Sequence, residues 1–235
     1  MTQTTMRTFL SVAFAPLLLT WGTGCSSSKS PADQAADSGA AAEDSAASVD
    51  TGAADTAPDG PVYPKGPYGI TVGKILDPSL NWVGFVPNAT ASSTISITDF
   101  YDPDGSKGIN ALVIDSSGQW CVACQYIAGL IPSWFSAKGD NWKGLGVQML
   151  TLVIQNNAHN AATLTTAQQW RSLFDLNFIY VVADPNDTFP TNALPSELLV
   201  DPRTMKIVRD LGDDTAMTAD GADPEVADLA KMNQK

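Results

Sequence analysis

Cysteine, histidine and cationic side chains are all scarce in this chain of 235 residues, which holds three Cys, one His and 13 Lys plus Arg against 25 Asp plus Glu. The formal net charge is −12. Phosphate binding needs clustered Lys and Arg, so a nucleic-acid partner is excluded. One close Cys pair and a single histidine, His159, fall short of the four ligands of a structural zinc site, and no metal is expected. Nor do three cysteines make a disulfide scaffold, which relies on several distant bridges. A long hydrophobic run is also missing. The most apolar stretch, Phe9 to Trp21 (FLSVAFAPLLLTW), is shorter than the about 20 apolar residues that a membrane span requires.

What is present divides the chain into three parts. That apolar run follows a single charge, Arg7, and suits the h-region of an export signal covering residues 1–25. It leads into Gly22-Thr23-Gly24-Cys25-Ser26. This segment resembles a bacterial lipobox, with Gly22 where the usual Leu would stand. The resemblance implies lipidation of Cys25 as the mature N-terminus, and the alternative is a cleaved, soluble periplasmic form. Residues 26–60 are Ala, Ser, Asp and Gly with seven acids, Asp33, Asp37, Glu43, Asp44, Asp50, Asp55 and Asp59. Such a segment buries too little apolar surface to offset its ordering entropy and is expected to be a disordered acidic linker. Residues 61–235 carry the remaining apolar patterning and form the candidate domain, with 18 acids and 11 bases.

Within that domain the pattern alternates between strands and helices. Short strands are expected in an N-terminal extension at 68–73 and 82–86. An edge strand is expected over 93–100, where Ile95, Ile97 and Phe100 alternate with polar residues. Residues 109–115 read as the first buried strand. The next motif is Trp120-Cys121-Val122-Ala123-Cys124. Residues 122–137 read as a helix with Tyr126, Ile127, Leu130, Ile131 and Trp134 inward, kinked or broken at Pro132. A second buried strand follows at 147–154, then a helix at 164–175 with Trp170, Leu173 and Phe174 inward. A third strand is expected at 178–182, a hairpin of 197–201 and 205–209, and a last helix at 225–233. The class is α/β, with a central mixed sheet flanked by helices.

Two thiols separated by two residues, on a strand-to-helix turn, have the spacing of a reversible dithiol/disulfide switch. Cys121 falls at a helix N-terminus, where backbone N–H groups and the helix dipole lower a thiol pKa and favour the nucleophilic thiolate. Cys124, one turn later, is placed to resolve a mixed disulfide. A crosslink over so short a loop stabilises little, so a structural role is the weaker reading. The site then needs no cofactor beyond its own disulfide. His159, in the polar stretch Gln155-Asn156-Asn157-Ala158-His159-Asn160, reads as a surface loop residue.

The element order, with the Cys pair after the first core strand, resembles the thioredoxin-like superfamily. More narrowly it is similar to the TlpA-type, redoxin-like (AhpC/TSA-like) branch of membrane-anchored periplasmic thiol-disulfide oxidoreductases. The resemblance covers about 66–233. It rests on the Trp-Cys-x-x-Cys motif at 120–124, on an acid six positions before the first Cys, Asp115, on Leu194-Pro195 ahead of a strand, and on the closing hairpin and helix. It implies a catalytic set of Cys121, Cys124 and Asp115, the last accepting a proton from Cys124. It implies a cis-Pro loop in which Leu194 and Pro195 present backbone to a substrate peptide, with Trp120 shaping the surface beside it. The implied partners are exported proteins containing disulfides and a membrane thiol electron donor. The implied location is the periplasmic side of a bacterial membrane, with the protein acting as a reductant. The Val122-Ala123 dipeptide lacks the Pro common between the family's cysteines.

Three other readings fit parts of the sequence. A copper-handling module of the Sco type carries three residues between its cysteines and a distant His, whereas the spacing here is two. A peroxiredoxin-like peroxidase carries Thr three residues before its reactive Cys, where this chain has Gly118. A redox-inert binding domain on the same fold is the third, because fold alone does not specify function.

Overall fold

A computed structural model describes residues 61–136, 141–212 and 224–234, all within the second of two units, Thr56–Lys235. The signal-like segment 1–25 with Cys25 and the linker 26–60 lie outside the described residues. The strands are β1 (Asn81–Phe85), β2 (Ser93–Ser96), β3 (Ala111–Gly118), β4 (Val147–Gln155), β5 (Tyr180–Ala183), β6 (Ser196–Asp201) and β7 (Lys206–Gly212). The helices are α1 (Val122–Ser136), α2 (Trp142–Leu145), α3 (Leu164–Leu173) and α4 (Pro224–Asn233).

Among the described residues these strands form one sheet in the order β2-β1-β5-β4-β3-β6-β7. β4 runs parallel to β3 and β5. β6 is antiparallel to β3 and to β7, and β1 is antiparallel to β5 and β2. β3 is buried along all eight residues, as a central strand covered on both faces must be. Side-chain alternation sorts the core into two layers. Val113, Met149, Val153 and Leu199 pack with the buried residues of all four helices. Leu112, Ile114, Leu150 and Val200 pack on the opposite face with Leu76, Ile97, Phe100 and Phe189 from segments outside the helices. The structure is therefore a thioredoxin-like α/β fold: β3-α1-β4 is a parallel unit, and β6, β7 and α4 close it.

Several elements differ from the sequence expectation. Residues 68–73 form no strand beyond a single parallel bridge of Tyr68 to Ile75; Gly73, at φ 87°, sits in a turn where the Lys74 amide donates to the Thr71 carbonyl at 3.0 Å. The edge strand stops at Ser96. Its hydroxyl accepts from the Thr98 amide while the Asp99 carboxylate accepts from the Ser96 amide. This capping box starts a 3-10 turn over Ile97–Phe100. α1 runs unbroken through Pro132. The proline's missing N–H removes a single bond, and the stripe Cys124, Ile127, Ala128, Ile131 and Trp134 holds the helix to the sheet. Tyr126 lies off that stripe and Leu173 lies off the α3 stripe of Ala167 and Trp170, so both are exposed. The short α2 was not expected; Asn141 caps its start and Gly146, at φ 75°, ends it.

Candidate active site

β3 ends at Gly118, and after two intervening residues Cys121 stands at the start of α1. The backbone there has the hydrogen bonding of a helix N-cap. The Cys121 carbonyl accepts from the Gln125 amide at 3.1 Å, and the Cys121 sulfur accepts from the Cys124 amide at 3.1 Å. Sulfur thus occupies the place that a Ser or Asp oxygen takes at an ordinary N-cap. The helix N-terminus aims a fixed N–H at this atom, which favours negative charge on it when the pair is reduced. Cys121 and Cys124 are joined as a disulfide with a Cα–Cα distance of 5.2 Å. Cys124 is fully buried, and Cys121 is 5% exposed.

The segment before β6 closes over Cys121. Leu194-Pro195 is a cis peptide, and the Leu194 carbonyl oxygen lies 3.6 Å from the Cys121 sulfur. In the disulfide the sulfur carries no proton, so this is a contact; as a thiol it can donate to that oxygen. Leu194 packs partly buried on the helix-side core, and Pro195 is buried.

Asp115 lies on β3, on the face of the sheet that the cysteines cover. It is 1% exposed and shares the face of Val113, the layer that holds both cysteines. The Ser117 hydroxyl donates to its two carboxylate oxygens at 2.9 and 3.2 Å. Burial pushes its pKa from 3.8 up to about 6, against the opposing influence of the Ser117 hydrogen bonds and the nearby Thr151 hydroxyl. Asp115 is therefore poised to take or give a proton near neutral pH.

The rim of the site is partly apolar. Val122 is 77% exposed, Tyr126 63% and Trp120 38%, so the side chains on either side of Cys121 in the chain, and one further along α1, are uncovered. Trp120 is held from two sides. Its ring N–H donates to the Gln155 side-chain oxygen at 2.8 Å, and its ring lies against His159 with centroids 4.6 Å apart. The Gln119 amide donates to the Gln155 carbonyl at 2.9 Å, and the Gln125 side chain donates to the Gln119 carbonyl at 2.7 Å. The loop that presents Cys121 is thereby tied to the end of β4 and to α1 itself.

The structure brings Cys121, Cys124 and the Leu194-Pro195 peptide together, with Trp120 just before Cys121 in the chain and Asp115 on the same face of the sheet. His159 is an exposed loop residue, and sequence reasoning missed that its loop returns to Trp120. It also missed Glu197, which is 1% exposed and pairs directly with Asp115 across the sheet. The available signal was an acid at an inward position two residues after Pro195; reading the strand as beginning at Glu197 hid it. Among the described residues, no group of three or more His, Cys, Asp or Glu is gathered as a metal site.

Fold and site together define a thioredoxin-like α/β protein with a Cys-x-x-Cys disulfide at the start of the helix that follows β3. Similar solved structures include a thiol:disulfide interchange protein from Bacteroides sp., 16% identical over 65% of this chain and 93% of that one, TM-score 0.43. A secreted Mycobacterium tuberculosis disulfide oxidoreductase homologous to E. coli DsbE is 14% identical over 65% and 95%, TM-score 0.39. A reduced 2-Cys peroxiredoxin from Plasmodium vivax is 14% identical over 68% and 80%, TM-score 0.46. No protein-family model matches the sequence, and neither does any curated protein.

Proposed function

We propose that the chain is an exported thiol-disulfide oxidoreductase that reduces disulfides of exported proteins and is held at the membrane by a lipid on Cys25. The observation that carries the catalytic part is the setting of the Cys121 sulfur. It receives a helix-terminal N–H, faces the Leu194 carbonyl and has exposed apolar side chains on either side of it in the chain. In the reduced protein the Cys121 thiolate attacks a substrate disulfide, forms a mixed disulfide and expels one substrate thiolate. Cys124 then loses its proton, attacks the Cys121 sulfur, closes the disulfide and releases the second substrate thiolate. The two cysteines lose two electrons and the substrate gains them. A membrane thiol donor restores the pair. Trp120, Val122 and Tyr126 supply the contact surface for an unfolded or extended polypeptide, and the Leu194 backbone aligns it.

The test is reduction of insulin disulfides with dithiothreitol as the terminal reductant. The wild type is expected to accelerate it and Cys121→Ser to abolish the acceleration; equal rates for the two proteins would sink the reading. In cell fractionation, wild type is expected with membranes and Cys25→Ser in the soluble fraction. Wild type already in the soluble fraction would remove the lipid anchor. Among the described residues no helix is long and apolar enough to cross a membrane.

A further inference from the structure

Strand register sets one row of side chains at the level of Asp115. It runs from Val181 on β5 through Thr151 on β4 and Asp115 on β3 to Glu197 on β6. Residues in register point to the same side of a sheet. That side is the cysteine side, because Met149, Val113 and Leu199, each two positions along, pack in the layer with Cys121 and Cys124. Asp115 and Glu197 are each 1% exposed. Directly opposed residues on antiparallel strands have Cβ atoms about 4.5–5.5 Å apart, which puts the two carboxyl groups within reach of each other. Two carboxyls so close and so far from water do not both ionise readily.

We propose that Asp115 and Glu197 work as one proton-sharing carboxyl pair behind the cysteines, with Glu197 as the positioning residue that keeps a proton on the pair while Asp115 exchanges protons with Cys124. The proposal deepens the thiol-disulfide reading above and rests on it for the exchange step. The pair carries one proton and one negative charge at rest. When the mixed disulfide is resolved, the Cys124 S–H bond breaks and its proton goes to the free carboxylate. The Cys124 thiolate forms the S–S bond to Cys121, and the electron pair of the broken mixed disulfide leaves on the substrate thiolate. The pair, now doubly protonated, returns the proton to solvent. Reduction of the disulfide by a dithiol donor runs the same transfer backwards.

The surroundings bear on how the pair titrates. β4 offers the Thr151 hydroxyl, and β3 offers Ser117. α1 carries no charged side chain, so the titratable groups on it and at its cap are Cys124, Cys121 and the exposed Tyr126. α4 packs on β3 through Val226, Leu229 and Ala230, and its Glu225, Asp228 and Lys231 are on the exposed side. On β7, Asp210 and Arg209 flank the row, with Arg209 paired to Glu225. On α3, Arg171 donates to the carbonyls of Ala89 and Asn177, away from the pair.

The test is an infrared titration of protonated carboxyl groups in the oxidised full-length protein, for wild type, Glu197→Gln, Glu197→Asp and Asp115→Asn. In Glu197→Gln the Asp115 step is expected to move down by roughly one pH unit or more, because its like-charged neighbour is gone. Glu197→Asp is expected to restore much of the wild-type position. Coupling is mutual, so Asp115→Asn must lower the Glu197 step equally; this arm serves if Glu197→Gln fails to fold. An Asp115 step left unmoved by Glu197→Gln overturns the pair, as does an unmoved Glu197 step in Asp115→Asn. The same variants, mixed rapidly with a disulfide peptide, should shift the pH profile of mixed-disulfide resolution along with the infrared step; an unshifted profile overturns the exchange role. Failure of wild type to reduce insulin would strike the enzymatic reading, and with it the exchange step, while the infrared coupling still decides the pair.

Discussion

At neutral pH the Asp115 carboxyl sits almost wholly out of water, and burial raises its pKa from 3.8 to about 6. A raised carboxyl pKa means that the folded protein holds this proton more tightly than the unfolded chain does. Below about pH 4 both states are protonated and nothing is lost. As pH rises from there to about 6, the unfolded chain gains by ionising first, and stability falls. Above that window the loss is constant, and a shift of this size corresponds to about 3 kcal/mol. Asp115→Asn removes the titration and keeps an oxygen for the Ser117 hydroxyl. The variant is expected to be the more stable protein at pH 7, with the advantage shrinking towards pH 4. Urea unfolding of both oxidised proteins across that range checks this, and a pH-independent difference would contradict it. This cost was partly visible in the sequence. Asp115 could be picked out because it ends an apolar run six positions before Cys121, a local relation. Glu197 and His159 could not be assigned to the site in the same way. Glu197 reaches it through the β3–β6 register, and His159 through a turn that brings it back onto Trp120. Both are pairings between residues far apart in the chain.

Strands and helices depend on such pairings to different degrees. The centre of the sheet was legible because β3 opens on the apolar run Ala111–Ile114 and β4 is mostly apolar from Val147 to Ile154, as burial on both faces requires. The edge was less so: Ile95 and Ile97 alternate like strand residues, but Ser96 caps a 3-10 turn between them. Tyr126 and Leu173 face outward although both are apolar, because apolar character alone does not say which stripe of a helix meets the sheet. β1 shows what only the packed structure reveals. Gly84 pairs with Val182 on β5, and a Cβ built on it would lie 2.4 Å from the Val181 carbonyl oxygen and 2.5 Å from the Val182 Cα. These are backbone atoms of a paired strand and cannot swing aside. Gly84→Ala is therefore expected to push β1 off β5 and destabilise the domain by roughly 1–3 kcal/mol. Hydrogen exchange should locate the damage in β1, β2 and β5, with β3 and β6 protected until global unfolding. Uniform loss of protection, or none, would speak against a local clash.

At the scale of the whole domain, the end of the sheet away from the cysteines is organised around one cation. Arg203, in the turn between β6 and β7, forms an ion pair of 3.0 Å with Asp102, whose side chain is 0% exposed. It also donates to the Asp102 carbonyl, to the Ile109 carbonyl at 3.0 Å, to the Asn110 side chain at 2.9 Å and to the Asn233 carbonyl at 2.9 Å. One guanidinium thus joins the loop before β3, the β6–β7 turn and the last residue of α4. A planar fork of five donors can do this; a lysine ammonium cannot reach all four partners. Asp102 is pushed up by burial, but the amides of Lys107 and Ile109 and the Arg203 cation outweigh that and hold it below 3.8. Its contribution to stability is accordingly present above that pH and lost as acid takes the carboxylate through its lower folded value. Arg203→Ala leaves this carboxylate buried without its cation, a loss typically of about 3–5 kcal/mol. Arg203→Lys should recover only part of it. β3 carries eight residues between this cluster and the cysteine turn, roughly 25 Å of strand. Insulin reduction per folded molecule is thus expected to match wild type in both variants, while the denaturation midpoint falls sharply in Arg203→Ala. A drop in activity out of proportion to the unfolded fraction would show instead that the two ends of β3 are coupled.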